Sequence, residues 1–89
     1  MNSVTLVGTI GREPVSILTP VGNKVEFTMS TQGTSRNEWH NVVYYGSHLN
    51  LKNGDLCIVI GRIRTRSFMK EDRKTYFTEV VADTVGKML

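Results

Sequence analysis

Positive charge is concentrated in one short segment of the chain. Six of the eleven lysines and arginines fall within thirteen consecutive positions, namely Arg62, Arg64, Arg66, Lys70, Arg73 and Lys74. Clustered cations of this kind can neutralise the phosphates of a polyanion. A solvated hairpin has the same composition, so the residue types alone leave both explanations open.

Aromatic rings accompany these cations. Trp39 and Tyr45 lie six positions apart in one predicted strand, and an even spacing places both rings on the same face. Phe68 follows Arg64 and Arg66 at the same parity, so a ring and two cations share one side. Exposed rings can stack on nucleobases, whereas buried rings are core residues. From the spacing alone, both interpretations of Trp39 and Tyr45 remain open.

Composition limits the class of protein. The 89 residues form one predicted domain, 1–89, and a net charge of +3 mildly favours polyanionic partners. A hydrophobic content of 39% with 21% charged residues is typical of a folded chain. Cys57 is a single cysteine, the chain opens without a signal-peptide pattern, and no apolar run approaches membrane-spanning length. We expect a cytoplasmic protein without a membrane segment.

Period-two alternation of apolar and polar residues predicts an all-β chain. In the second strand Val25, Phe27 and Met29 alternate with polar residues, which predicts a core position for Phe27. Glycine and proline mark the bends and turns. The predicted strands are a long bent segment 4–18, followed by Lys24–Thr31, Glu38–Tyr45, Asp55–Ser67 and Lys74–Val85.

The fourth strand changes character at Gly61. Leu56, Ile58 and Ile60 occupy one parity, and the next even positions are arginines. This pattern predicts a change of face at a bulge or bend. At ~3.3 Å per residue the strand is longer than a small barrel is tall, so its hairpin, with a tip at Met69–Arg73, should project.

The elements together describe a known architecture. Ser47–Asn53 is predicted to contain one or two helical turns between the third and fourth strands. Five strands, a glycine-marked bend and this short helical link predict the five-stranded Greek-key barrel called the OB-fold.

Several blocks of sequence, in order along nearly the whole chain, carry a family resemblance. They are Val4-x-Leu6-Val7-Gly8-x-Ile10-Gly11-x-Glu13-Pro14, Thr19-Pro20-x-Gly22, Phe27-Thr28, Glu38-Trp39-His40-x-Val42-Val43, Gly61-x-Ile63-Arg64-Thr65-Arg66 and Thr78-Glu79-Val80-Val81. On these blocks the chain resembles the bacterial-type single-stranded DNA-binding (SSB) proteins. The resemblance implies an OB-fold homo-oligomer, a tetramer or a dimer, that binds single strands without sequence preference during replication, recombination or repair.

The resemblance also implies a site. It places base stacking on Trp39, Tyr45 and Phe68, and the clustered cations then supply phosphate contacts: Arg62, Arg64, Arg66, Lys70, Arg73 and Lys74. It implies no catalytic residue, cofactor or metal, and a cytoplasmic location at the nucleoid. His40, His48 and Cys57 fall short of the four ligands of a structural zinc site.

Some features depart from the family. The loop between strands two and three is shorter and lacks an aromatic residue, which predicts one stacking position fewer. The link Ser47–Asn53 is shorter than the family's helix, and the sequence ends at Lys87-Met88-Leu89 without an acidic tail. Recruitment of replication or repair proteins through a tail therefore has no support in these residues, and replication or primosome proteins stay open as partners.

Three alternatives use the same barrel. A primosomal OB-fold adaptor would bind single-stranded DNA and hold replication proteins. An RNA chaperone resembling the cold-shock proteins would bind RNA and DNA comparably. An OB-fold nuclease would degrade the strand, but the sequence contains no recognisable catalytic motif.

Overall fold

Five strands close into a barrel in the computed structural model, which describes residues 1–47 and 49–88. The strands are β1 (Val4–Thr19), β2 (Gly22–Gln32), β3 (Asn37–Tyr45), β4 (Leu56–Lys70) and β5 (Arg73–Lys87). Their order around the barrel is β1-β2-β3-β5-β4, and only the β3–β5 pair is parallel. The predicted five-stranded OB-fold is confirmed.

The first strand bends so that it pairs with two neighbours. Its first half, Val4–Thr9, runs antiparallel to β4, and its second half pairs with β2 as far as Thr19. The register shifts between Ile10 and Arg12 and again before Val15. These irregularities turn the strand, as closure of a small barrel requires. The prediction of one long bent strand is confirmed.

The core consists of the inward positions of all five strands. Met29, Cys57 and Val59 are fully buried, and Phe27 is only 3% exposed, as its alternating pattern predicts. Burial, and then the charge of Asp55, raises the pKa of the Cys57 thiol. Cys57 therefore remains a neutral, unreactive core residue.

The predicted change of face in β4 is wrong, although the predicted irregularity is present. The register shifts between Ile60 and Gly61, but the extra residue is Asp83 of β5. The even positions of β4 point outward on both sides of the shift, and Leu56 and Ile60 are 41% and 40% exposed. In the sequence, the apolar residues of β4 had the pattern of core residues. The arginines that follow them at the same parity therefore seemed to lie on the opposite face.

Beyond Gly61 the β4–β5 hairpin extends past the barrel. Pairing with β1 ends at Gly61 and pairing with β3 ends at Val80, so residues 64–79 pair only with each other. Glu71 and Asp72 close the hairpin with φ of 51° and 63°, the backbone of a two-residue type I′ turn. The projection is confirmed, with a shorter tip than predicted.

The helical link is the second correction. The described residues of Ser47–Asn53 contain no helical turn, and His48 lies outside the described residues. Leu51 is buried in the core. The adjoining backbone is hydrogen-bonded to β1, because the amide of Gly54 donates to Ile10 (2.8 Å) and Ile10 donates to Asp55 (2.9 Å). These bonds and the burial of Leu51 hold the short link against the barrel in an irregular path.

The described part of the chain contains no helix with the length and hydropathy needed to cross a lipid bilayer.

We expect replacement of Gly61 by alanine to destabilise the barrel. A Cβ at position 61 would lie 2.1 Å from the carbonyl oxygen of Val81, so the bulged backbone of β5 would have to move. The expected loss in the free energy of unfolding is about 1–3 kcal/mol, measured by denaturant titration. Gly86→Ala is the control, because its Cβ would meet only Ile58 Cγ2 at 3.4 Å. Equal stability of the two variants would contradict this account of the bulge.

Candidate nucleic-acid interface

One outer face of the barrel carries most of the predicted site. The β2–β3 ladder runs without a shift from Gln32 to Lys24, so alternate residues of β3 share a side. Val42 packs in the core, which directs Trp39 and Tyr45 outward. We call the outward sides of β2, β3, β5 and the β4 hairpin the outer face.

Cross-strand pairing brings the hairpin residues to this face. Glu79 precedes the core residue Val80 and so points outward, and the pairs on either side of it follow the same alternation. The pairs are Arg62 with Val81, Arg64 with Glu79, Arg66 with Phe77, Phe68 with Thr75 and Lys70 with Arg73. Five of the six clustered cations therefore share a side with the stacking candidates.

Lys74 occupies the opposite side of the hairpin. It pairs with Met69, and its ammonium group lies 5.8 Å from the ring centroid of Tyr76. Lys74 and Tyr76 thus form a separate exposed pair, and the phosphate contact predicted for Lys74 would have to form on that side.

The three predicted stacking rings are exposed. Trp39, Tyr45 and Phe68 are 63%, 46% and 48% exposed, so burial of Trp39 and Tyr45 in the core is excluded. The Trp39 ring lies against Gly11, where a Cβ would sit 2.1 Å from ring atom Cζ3. Glycine at this position leaves room for the indole on the bend of β1.

A buried carboxylate organises the centre of the face. The Glu79 side chain is only 1% exposed, and its Oε2 accepts hydrogen bonds from Arg64 Nε at 2.9 Å and Nη2 at 2.6 Å. Arg66 Nε lies 3.0 Å from the same oxygen. Two guanidinium groups therefore share one carboxylate, which offsets the cost of burying its charge.

The two arginines are also in contact with rings. Arg64 Nη2 donates to the Tyr45 hydroxyl at 3.0 Å, and Arg66 Cζ lies 5.2 Å from the centroid of Phe77. The bond to Tyr45, and then the bonds to Glu79, raise the pKa of Arg64. Arg64 therefore keeps its charge at physiological pH, and its guanidinium plane is fixed beside Tyr45.

The remaining cations of this face are less constrained. Arg62 lies 3.6 Å from Asp83, but both side chains are more than half exposed, so the pair adds little stability. Lys70 and Arg73 flank the exposed turn at the end of the hairpin, and within the described residues neither makes an ion pair. They are therefore available to an anionic ligand.

A groove crosses the outer face between the bend of β1 and the hairpin. It has a volume of about 360 Å³, and its lining includes Arg12, Glu26, Asn41, Arg66, Phe77 and Glu79. Sequence reasoning did not select Glu79 or the groove. Glu79 was detectable in principle, because counting back from a two-residue turn at 71–72 places it opposite Arg64.

Potential metal ligands are not grouped together in the described part of the chain. Among residues 1–47 and 49–88, no group of three or more His, Cys, Asp or Glu side chains could hold a metal ion. His40 instead shares a 2.8 Å hydrogen bond between its Nε2 and the Thr31 hydroxyl.

Barrel, exposed rings and cationic hairpin together have the form of an OB-fold nucleic-acid-binding protein. The profile of the Single-strand binding protein family matches residues 1–88. Single-stranded DNA-binding protein 2 of Staphylococcus aureus (strain COL) is 37% identical over 99 aligned positions, covering 96% of this chain and 71% of that protein. The chain therefore belongs to the single-strand binding protein family.

A solved structure supports the fold independently. The Plasmodium falciparum SSB complex with ssDNA superposes with a TM-score of 0.89, covering 99% of this chain and 95% of that one. Because the two sequences are only 21% identical, this similarity concerns the OB-fold alone.

Glu79→Gln should lower the stability of the hairpin. The amide keeps the shape of the side chain but loses the charge that both arginines share, so we expect the free energy of unfolding to fall by about 1–3 kcal/mol. Glu71→Gln at the exposed turn is the control and should change little. Denaturant titration of the two variants would contradict the assignment if Glu79→Gln behaved like Glu71→Gln.

Proposed function

We propose that the protein binds single-stranded DNA of any sequence and protects it during replication, recombination or repair. The observation that carries this proposal is the exposure of Trp39, Tyr45 and Phe68 on one outer face beside the cations. Every base offers a ring face and every nucleotide a phosphate, so this combination needs no particular sequence. The protein acts by binding rather than catalysis, with residues 1–89 as one binding domain.

In this geometry the rings bind bases and the cations bind phosphates. Trp39 and Tyr45 on β3, and Phe68 on the hairpin, each take a base, and a stacked base contributes ~1–3 kcal/mol. Lys70 and Arg73 bind phosphates along the hairpin, joined by Arg62. Arg64 and Arg66 are held by Glu79, so they act from fixed positions and offer only their remaining N–H groups.

The alternatives predict different partners. A primosomal adaptor is not favoured, because the family profile and the similar curated protein are both of single-strand binding proteins. Matched DNA and RNA oligomers distinguish the RNA chaperone, and incubation of the oligomer with divalent metal tests for nuclease activity.

Consistent with the family, we place the protein in the cytoplasm at the nucleoid.

Trp39→Ala should weaken binding on every base sequence. Loss of one stacked base lowers the affinity about 5-fold to 150-fold, the equivalent of ~1–3 kcal/mol. Anisotropy of a labelled oligo-dT measures this loss, and the single tryptophan of the wild type should be quenched on binding. Tyr76→Ala is the control, since this ring is equally exposed at 64% but lies on the opposite side of the hairpin. Wild-type affinity in Trp39→Ala would count against stacking on this face.

A second exposed surface supports self-association. Val7 of β1 pairs with Ile58 of β4, and Leu56 and Ile60 share their side of the sheet. Val7, Leu56 and Ile60 are each 40–49% exposed, although all are aliphatic. We call this group the apolar strip. Contiguous exposed apolar surface marks interaction sites, so we propose that copies of the chain associate through it as a dimer or tetramer.

Ile60→Glu should dissociate this assembly. A carboxylate on the apolar strip must be desolvated when a second copy covers it, so the mass measured by light scattering should fall towards that of one protomer. Val21→Glu is the matched control, because Val21 is 89% exposed in the β1–β2 turn, away from the strip. If Ile60→Glu kept the wild-type mass, the interface would have to lie elsewhere.

A further inference from the structure

Glu79 occupies the N–H groups with which Arg64 would bind a phosphate. A bidentate contact between an arginine and a phosphate uses two parallel N–H groups on different nitrogens of the guanidinium group. Nε and Nη2 of Arg64 both donate to Glu79 Oε2, and Nη2 also donates to the Tyr45 hydroxyl. Each pair of nitrogens that could bind a phosphate in this way therefore includes one that is already engaged.

Arg66 is restrained by the same carboxylate oxygen. Its Nε lies 3.0 Å from Glu79 Oε2, and its Cζ lies 5.2 Å from the centroid of the Phe77 ring. One carboxylate thus serves two guanidinium groups, so two positive charges and one negative charge give the group of three side chains a net charge of +1.

A phosphate cannot readily displace Glu79, because the carboxylate is buried. The Glu79 side chain is 1% exposed, whereas the side chains of Arg64 and Arg66 are 34% and 52% exposed. A ligand can therefore reach both guanidinium groups from solvent. Drawing both of them away from Glu79 would leave a buried charge without a partner, which is strongly disfavoured. The two arginines are therefore accessible, but the contacts that they can make with phosphates are restricted.

The less restricted cations lie at the end of the hairpin. Lys70 and Arg73 are exposed, and neither has an acidic partner in the part of the chain that the structure describes. Unrestricted phosphate contacts are thus available at the tip, whereas Trp39 and Tyr45 offer rings on the barrel itself. A ligand gains the full free energy of binding only if its bases stack on the rings.

Duplex DNA supplies phosphates but no free bases. Its bases are stacked on one another inside the helix, and its binding without sequence preference depends on phosphate contacts. A restriction on phosphate contacts therefore weakens most of the interaction with a duplex, whereas a single strand keeps the contribution of its stacked bases. A buried carboxylate that restrains two cations acts mainly against the duplex.

We infer that Glu79 is a specificity-determining residue that acts through Arg64 and Arg66. By restricting their contacts with phosphates, it lowers the affinity for polyanions that cannot stack on the rings, duplex DNA above all, and so favours unpaired strands. The inference rests on the proposed function and assigns part of the selectivity of the outer face to one buried side chain.

Glu79→Gln tests this inference through a gain of binding. Release of the arginines should raise the affinity for a duplex at low salt at least about fivefold, and each phosphate gained should steepen the log–log salt dependence by about 0.9. The gain for oligo-dT of equal length should be smaller, because a single strand contributes only about 0.7 per phosphate and already binds through its bases. Anisotropy of the two labelled ligands across a salt series measures both quantities.

Two further variants separate release of the arginines from other causes. Glu71→Gln makes the same change in charge at the exposed turn, where Glu71 has no cationic partner among residues 1–47 and 49–88, and should keep the wild-type preference for the single strand. Glu79→Met has a similar length and buries no unpaired polar group, so it carries the test if the buried amide of Glu79→Gln impairs folding, as judged by circular dichroism. It should show the same gain.

The outcomes separate the inference from the proposed function. A gain of duplex binding in the folded Glu79 variants that is absent from Glu71→Gln supports the inference. Equal gains in Glu79→Gln and Glu71→Gln, or a duplex affinity that is unchanged or lower in the folded Glu79 variants, overturn the inference and leave the proposed function intact. Failure of the wild type to bind oligo-dT would overturn the proposed function and the inference together.

Discussion

The close approach of β5 to Gly61 decides which side chains reach the outer face. The bulge at Asp83 inserts one residue into β5, and because side chains alternate along a strand, one extra residue exchanges the two sides. Below the bulge, Val80 enters the core and Glu79 faces outward. Without the bulge, the alternation would place Val80 outside and direct the Glu79 carboxylate into the apolar interior. Only glycine leaves space for the bulged backbone at position 61.

Glu79 then converts a flexible pair of arginines into a fixed surface. Long cationic side chains lose considerable entropy when a ligand immobilises them. Here a buried carboxylate and the Tyr45 hydroxyl hold Arg64 in place before any ligand arrives, and Arg66 is held over Phe77. The face is therefore preorganised at its centre and less constrained by ion pairs towards the hairpin tip, which suits a ligand whose bases must be placed and whose backbone is flexible.

The sequence predicts the barrel well because local patterns determine most of it. Alternation in β2 placed Phe27 in the core, and even spacing placed Trp39 and Tyr45 on one side of β3. The patterns fail where tertiary contacts override them. The outward apolar residues of β4 resemble a core run because the signal for burial is hydrophobicity, and Leu56 and Ile60 are apolar without being buried. The described residues of the link 47–53 form no helix because the adjoining backbone bonds to β1, and Glu79 was overlooked because its importance depends on cross-strand register.

One strand, β4, carries two different chemistries on the same side. Its early outward positions are aliphatic and its later ones are cationic, with no change of face between them. If copies of the protein associate through the aliphatic part, the cationic hairpin of each copy extends from the interface in a fixed direction, because one continuous strand forms both. The spacing between hairpins of neighbouring copies, and hence the path available to a DNA strand wound across them, would then be determined by the geometry of the contact between subunits.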